Sequence, residues 1–388
     1  MTHHSFSTLC IHAGTLPDSQ GGVCSPVHVS TAFAFPNTTG ENIYPRYFNS
    51  PNQRAICTKI AALEQGENAL AFGSGMAAIS TTLLALLDPG DHAIFQADLY
   101  GGTLQFVSRQ LERLGIAVDY VRHGQDFAEA IRAETRLIYV ESPSNPLLRC
   151  VDLTQVATLG RERRLLTLID NTFATPFNQT PLAFGFDLVL HSATKYLNGH
   201  SDVNAGFVIG SQDLIDRIRP AATHFGGMLD ARACELVERG MKTFALRMER
   251  HNANALSLAM YLVCHPAVVT VHHPGLPDHP DHALANRQMN GFGGMLSFEV
   301  RPPWNPRMVL DQLRLASAAL SLGGVETLVC IPAVTSHREM EPDARRNLDI
   351  ADGLIRVSVG LQNIEDLIAD FSHALDAGTL RLAHDWSV

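Results

Sequence analysis

No apolar run in this 388-residue chain approaches the ~18 residues that a membrane-spanning helix needs. Basic residues are outnumbered, 29 lysines and arginines against 39 acids, and a net charge of -10 leaves no basic patch for a nucleic acid. The seven cysteines (Cys10, Cys24, Cys57, Cys150, Cys234, Cys264 and Cys330) are odd in number, scattered and without Cys-x-x-Cys spacing. They form no disulfide framework and fit reduced thiols. The opening MTHHSFSTLCIHAG lacks the charged-then-apolar order of a secretory signal, so a cytoplasmic location is expected. The dinucleotide fingerprint G-x-G-x-x-G is missing as well: Met-Ala-Ala-Ile follows Gly75, which disfavours a nicotinamide enzyme. There is no internal repeat and no low-complexity tract.

What remains is an ordinary globular composition, 46% apolar and 18% charged, in a chain long enough for two or more domains. Residues 1–60 belong to a stretch rich in Pro, Gly, Ser and Thr. It runs to about residue 65 with no convincing long helix or strand, and is expected to drape over a neighbouring subunit. From 61 to 245 short apolar runs alternate with helix-like stretches such as MAAISTTLLALL and LQFVSRQLERLG. The runs are NALAF, HAIFQ, VDYV, RLIYVES, LLTLID, DLVLHS and GFVIG. They are too continuous for a one-sided sheet and predict a doubly wound, mostly parallel α/β domain. A long helical pattern, DARACELVERGMKTFALRMERHNANALSLAMYLV, leads into a smaller α+β domain over 246–388. That domain has strand candidates GMLSFEV and LIRVSVG and a closing helix, IEDLIADFSHALDAG.

In such sheets ligands bind beyond the carboxyl ends of the strands. After NALAF comes GSGMAA, where Gly73 and Gly75 let the backbone turn and the amides of Gly75 and Met76 open a helix suited to a phosphate. A plain strand-to-helix turn fits these residues equally well. After LLTLI comes Asp170, a carboxyl that needs a cationic or strongly donating partner at the end of a buried strand. After RLIYV comes ESPSNP with Asn145, and after DLVLH come Ser192, Thr194 and Lys195. Lys195 either pairs with Asp170 or serves as the covalent anchor of pyridoxal phosphate. In the second case the acid would hold the ring nitrogen, and hydroxyls and helix amides the phosphate.

The segments ESPSNPLLR, DNTFATP, HSATKYLNGHSD, SGMAA, DLYGGT, RQMNGFGGMLSFE and SLGGVETL resemble the Cys/Met-metabolism (trans-sulfuration) family of pyridoxal-phosphate enzymes. That family includes cystathionine γ-synthase, cystathionine γ- and β-lyases, methionine γ-lyase and O-acylhomoserine sulfhydrylases. The matches run in order from about residue 10 to residue 370. The resemblance implies the aspartate-aminotransferase-like arrangement called fold type I. It implies that Lys195 carries the cofactor and shuttles protons, and that Asp170 keeps the pyridine nitrogen protonated. Gly75, Met76, Ser192 and Thr194 would hold the phosphate. Tyr100 would stack on the ring and protonate the leaving group, and Arg356 would clamp the substrate carboxylate through its planar fork. Ser321 and Asn145 would line the same pocket. A family Tyr-x-Arg motif reaches a neighbouring subunit's cofactor phosphate, and YPRYFNSPNQR offers Tyr44 and Arg46 for it. The implied assembly is a homotetramer, a dimer of dimers with shared active sites.

Three departures bear on substrate. The usual Tyr-Ser-Arg-x-x-Asn-Pro-Thr has one extra residue before its proline here. Gly102 stands where methionine γ-lyases carry cysteine, and Leu320 where many cystathionine enzymes carry glutamate. The expected reaction is Cγ elimination or replacement on a γ-substituted amino acid of the cystathionine or O-acylhomoserine type. The alternatives are methionine γ-lyase, a γ-lyase for an oxygen- or nitrogen-linked homoserine derivative such as canavanine, cystathionine β-lyase, and a catalytically silent cofactor-binding protein. The histidine-rich loop HHPGLPDHPDH (His272, His273, His279, His282) lacks regular metal-ligand spacing, and the family has a metal-free Pro-Gly-Leu loop at this place. No metal is expected.

Overall fold

The seven apolar runs each become a strand in the computed structural model. It describes residues 4–36, 40–302, 304–338 and 340–385, with only the backbone described for 344 and 378–385. The strands are β1 (Asn68–Phe72), β2 (His92–Gln96), β3 (Ala117–Val121), β4 (Thr135–Glu141), β5 (Leu166–Asp170), β6 (Leu188–Ser192) and β7 (Gly206–Gly210). They form one sheet in the order β1-β7-β6-β5-β4-β2-β3, in which β7 alone runs against its neighbours. The period-2 alternation of a strand sorts their side chains. Leu70, Phe95, Tyr139, Leu168, Leu188 and Val208 enter one apolar cluster, and Ala71, Ile94, Ile138, Ile169, Val189 and Ile209 the other. Each fully buried leucine or isoleucine contributes about 2 kcal/mol, so the sheet is a rigid platform and its strand ends are well-defined places.

Helices cover both faces. The N-terminal helices α1 (Phe6–His12) and α2 (Pro51–Glu64) and the helix Leu153–Arg163 supply one cluster. Helix α3 (Gly75–Leu86) and the helix Gln212–Phe225 supply the other. The 14-residue α2 overturns the expectation that the first 65 residues lack a long helix. Its start is set by Pro51 at the first helical position and by the Gln53 side chain, whose Oε1 accepts from the Ser50 amide at 3.0 Å. Buried polar residues, Asn52, Gln53, Lys59 and Glu64, interrupt its apolar face and hide the 3.6-residue period. Helix α2 also runs across the boundary expected at residue 60.

The long helical pattern after residue 230 is two helices, Ala231–Met241 and Phe244–Val263. The break has a packing cause. Gly240 lies against the backbone of Asn198, so close that a Cβ there would sit 2.3 Å from its carbonyl oxygen. The Gly240 carbonyl accepts from Arg247 Nη2 at 2.9 Å and from Thr243 Oγ1 at 3.3 Å. The second helix crosses the boundary expected at 245 and covers a smaller sheet of five strands. These are β8 (Val268–His272), β9 (Met295–Val300), β10 (Ser317–Ala318), β11 (Leu328–Cys330) and β12 (Leu354–Ser358), in the order β10-β11-β12-β9-β8. Only β9 and β12 were expected. The closing helix Ile364–Asp385 packs on the same core through Leu367, Phe371 and Leu375. Among the described residues no helix is long and apolar enough to cross a membrane.

Candidate active site

The carboxyl ends of β1, β2, β4, β5 and β6 point the same way, and the candidate residues follow them. After β1 the chain turns through Ser74, whose hydroxyl accepts from the Ala77 amide at 3.0 Å and caps α3. Gly75 begins that helix pressed against β6: a Cβ on it would lie 2.8 Å from Ser192 Cβ and 3.1 Å from Ser192 Oγ. Gly206, entering β7, is as tightly placed, 2.2 Å by the same measure from the Ser74 carbonyl oxygen. Free amides at a helix start, a serine hydroxyl beside them and no room for larger side chains make a cradle suited to an anion. Met76 is the next residue of the helix. Its sulfur lies close to Gly102, as does the Tyr100 ring: a Cβ at 102 would be 2.6 Å from Tyr100 Cε1 and 3.3 Å from Met76 Sδ. The Tyr100 ring therefore lies beside the start of α3.

Asp170 ends β5 with its carboxyl almost wholly buried, Oδ1 accepting from the Thr172 amide at 3.0 Å. Burial pushes its pKa up, and hydrogen bonds from the side chain and backbone of Thr172 pull the other way. The Thr172 hydroxyl also accepts from the Ser192 amide at 2.8 Å, tying the ends of β5 and β6. Beside Asp170 in the β4–β5 register stands Glu141, also buried, whose Oε2 accepts from the Tyr100 amide at 2.9 Å. Burial first and the Asp170 charge second hold the Glu141 carboxyl well above the usual carboxylate range.

Lys195 does not pair with Asp170 among the described residues. Its Nζ donates to Ser321 Oγ at 2.7 Å. Burial, helped by the charge of Arg356, lowers its pKa to about 8. Arg356 sits on β12 in the middle of the smaller sheet, opposite Cys330 on one side and Ser297 on the other. Its Nη1 donates to Asn145 Oδ1 at 3.1 Å and its Nη2 to the Ser321 carbonyl at 3.2 Å. Ser321 thus touches lysine and arginine together, and it does so at φ +85°, a left-handed backbone rare for serine.

Other expected residues are placed differently. The Thr194 hydroxyl is engaged with the backbone of Ala205, donating to its carbonyl at 3.2 Å and accepting from its amide at 3.0 Å. Leu320 is exposed beside Ser321. Tyr44 and Arg46 pair with each other, the guanidinium carbon 5.6 Å from the ring centre. Their turn, Pro45–Tyr47, packs on the helix Gln212–Phe225. The histidines of the Pro-rich loop have local partners: His279 Nε2 meets the Leu147 carbonyl and His282 Nδ1 the Pro274 carbonyl, while His272 faces Glu299.

Sequence reasoning missed Glu141 and Thr172, although both lie inside segments it quoted. It also missed Ser336 and His337. A Cβ on Gly101 would be 2.4 Å from the Ser336 carbonyl oxygen, so this loop of the smaller domain closes on the turn bearing Tyr100. The buried His337 ring is held neutral, its pKa lowered to about 4 by burial and by Arg356. No spacing signal marks that loop.

Comparison with known proteins agrees in extent with this arrangement. A family model described as Cys/Met metabolism PLP-dependent enzyme matches residues 7–376. The L-methionine gamma-lyase of Fusobacterium nucleatum subsp. nucleatum is 40% identical over 392 residues, covering 97% of this chain and 99% of that enzyme. The cystathionine beta-lyase of Lactococcus lactis subsp. cremoris is 42% identical over 378 residues, covering 96% and 99%. The crystal structure of cystathionine gamma-lyase from Lactobacillus plantarum complexed with L-serine superposes with a TM-score of 0.93 at 40% identity, covering 96% and 99% of the two chains.

Proposed function

Because this chain belongs to the Cys/Met-metabolism family of pyridoxal-phosphate-dependent enzymes, we propose that it eliminates a sulfur-linked group from Cγ of an amino acid of the cystathionine type. The cofactor is pyridoxal phosphate, and the site's chemistry fits it. The buried Asp170 carboxyl takes its hydrogen bonds from Thr172 and suits a protonated ring nitrogen. The cradle around Gly75, Met76 and Ser192 suits a phosphate, with Thr194 bracing its wall. Lys195, with a lowered pKa, suits covalent attachment. When bound, the cofactor supplies an electron sink for charge developing at Cα.

The protein's part is to bind, orient and move protons. Arg356 takes the substrate carboxylate while Asn145 and the Ser321 carbonyl hold its fork. Lys195 Nζ, steadied by Ser321 Oγ, removes the Cα proton and then serves Cβ. The Tyr100 phenol gives its proton to the departing sulfur as the carbon–sulfur bond breaks, and water then releases ammonia and a 2-oxo acid. The observation that carries this reading is Ser321, which joins the lysine and the carboxylate clamp in one contact set.

Leu320 favours a second reading within the same chemistry. An uncharged residue beside Ser321 offers nothing to a distal ammonium group, so a plain thioether such as methionine is the alternative substrate. The test is a panel of cystathionine, methionine, O-acetyl- and O-succinylhomoserine and canavanine, assayed for thiol, ammonia and 2-oxobutanoate. Thiol release from either sulfur compound is expected. Turnover confined to the oxygen- and nitrogen-linked substrates would overturn the carbon–sulfur assignment.

The pKa of Lys195 gives a pH prediction. Only a neutral amine attacks the cofactor's aldehyde, and its fraction rises with pH. Cofactor-free protein mixed with pyridoxal phosphate should capture it at a rate that climbs with pH through a midpoint at about 8, followed by absorbance. A midpoint near the ordinary lysine value of 10.5 would contradict the buried, Arg356-flanked amine.

The proposal extends to assembly and location. The Tyr44–Arg46 turn, with Tyr44 exposed, completes the phosphate site of a neighbouring subunit in a dimer, and two dimers form a tetramer. The described cysteines are all free, which fits the reducing cytoplasm.

A further inference from the structure

The strands β2 and β4 leave the sheet side by side, Phe95 opposite Tyr139, and the two loops beyond them carry Tyr100 and Asn145. Four side chains interlock between these loops. Gln96 Oε1 accepts from the Glu141 amide at 3.0 Å, and Gln96 Nε2 donates to Asp98 Oδ1 at 2.9 Å. The Ser144 hydroxyl donates to Asp98 Oδ2 at 2.5 Å, and Glu141 Oε2 accepts from the Tyr100 amide at 2.9 Å. Gln96, Asp98, Glu141 and Ser144 are all buried, none more than 4% exposed. Strand pairing needs none of these side chains, and burying two carboxyl groups costs more than burying apolar ones would. Such a network persists where it fixes geometry.

We propose that Glu141 is a positioning residue that sets the backbone of Tyr100, and that Gln96, Asp98 and Ser144 lock this contact to the loop bearing Asn145. The inference rests on the reading of Tyr100 as proton donor to the leaving group. Glu141 needs no negative charge for this task. A neutral carboxyl accepts from the Tyr100 amide through its carbonyl oxygen, and burial beside Asp170 favours that neutral form. Through Asn145 the brace reaches Arg356, so the proton donor and the carboxylate clamp keep a constant separation across the substrate.

The test uses the cofactor-loaded enzyme and compares Glu141→Ala, Glu141→Gln and Tyr100→Phe on two substrates. One is the alkyl thioether turned over best, and the other an S-aryl homocysteine whose electron-poor thiolate leaves without a proton. Misplacing a donor by about 1 Å costs roughly 10²-fold, so Glu141→Ala should lose about that factor in kcat on the thioether. It should lose far less on the aryl substrate. Glu141→Gln keeps an acceptor oxygen and should recover most of the rate. Equal losses on both substrates, or no recovery with glutamine, would overturn the inference. Tyr100→Phe separates the two layers. If it spares the thioether reaction, the reading of Tyr100 fails. If it shows the leaving-group dependence and Glu141→Ala does not, only the role of Glu141 fails. Should Glu141→Ala not fold, Asp98→Asn and Ser144→Ala, singly and together, give the same two-substrate comparison. A non-additive, leaving-group-dependent loss is expected, and additive or uniform losses reject the brace.

Discussion

Lys195→Ala is expected to lower kcat by about 10⁴-fold, the upper end of what a positioned proton carrier supplies, while leaving the protein folded. The fold should survive because Lys195 holds no ion pair among the described residues. Its amine meets Ser321 Oγ, and its pKa is already pulled down to about 8 by burial and by Arg356. Removing a cation held at that desolvation cost relieves a penalty and leaves no carboxylate stranded. A lysine kept for stability would behave in the opposite way: the variant would melt early, and what remained folded would turn over. Initial rates and thermal melting on the same preparation separate the cases. A small primary amine added in solution should restore part of the loss, since the missing group is a proton carrier at a place the truncated side chain leaves open. Retention of more than about a hundredth of kcat would remove Lys195 from the chemistry.

The two halves of the site differ in how far the sequence reveals them. Candidates at the strand ends of the large sheet stand out where a continuous apolar run ends abruptly in a residue that burial penalises. Asp170 after LLTLI and Lys195 after DLVLHSAT are conspicuous for that reason. Glu141 has the same signature after RLIYV. Its importance depends on strand register, which sets it beside Asp170, and on the return of the chain at Tyr100. Neither is a property of a single segment. The smaller sheet is harder still: β10 has two residues and β11 three, too short for any period. The place of β11 is dictated by Leu328, Val329 and Cys330 pairing with β12, a partner some 30 residues away, and β10 in turn pairs with β11. The contact of Ser336 with Gly101 joins segments more than 230 residues apart, which explains why that loop carries no local signal. Resemblance to a family supplied roles for Arg356 and Ser321 that composition alone leaves blank. Thr194 was offered for the phosphate both by its place after β6 and by the resemblance, and its hydroxyl exchanges hydrogen bonds with the Ala205 backbone.

Arg356 offers the second large effect, and one with an uncommon sign pattern. Arg356 is 5% exposed, and its guanidinium is held by two neutral oxygens, Asn145 Oδ1 and the Ser321 carbonyl. No carboxylate neutralises it among the described residues, and its charge is felt by Lys195 and His337, whose pKa values it depresses. A buried charge left in this state is costly to the folded protein and is neutralised only when an anion arrives. The substrate carboxylate is that anion. Arg356→Leu should therefore weaken substrate use and stabilise the fold in one step. Losing one partner of a buried, hydrogen-bonded charge pair costs about 2–5 kcal/mol, so kcat/KM should fall by roughly 30- to 5,000-fold, mainly through KM. The melting temperature should hold or rise. Arg356→Lys keeps the charge without the planar fork, and should fall between wild type and leucine because a point charge cannot hold both carboxylate oxygens at fixed angles. An amino-acid amide, lacking the carboxylate, should discriminate poorly between wild type and Arg356→Leu. If leucine instead lowers the melting temperature and leaves kcat/KM near wild type, Arg356 is a structural strand residue, and the carboxylate clamp must be sought elsewhere in the site.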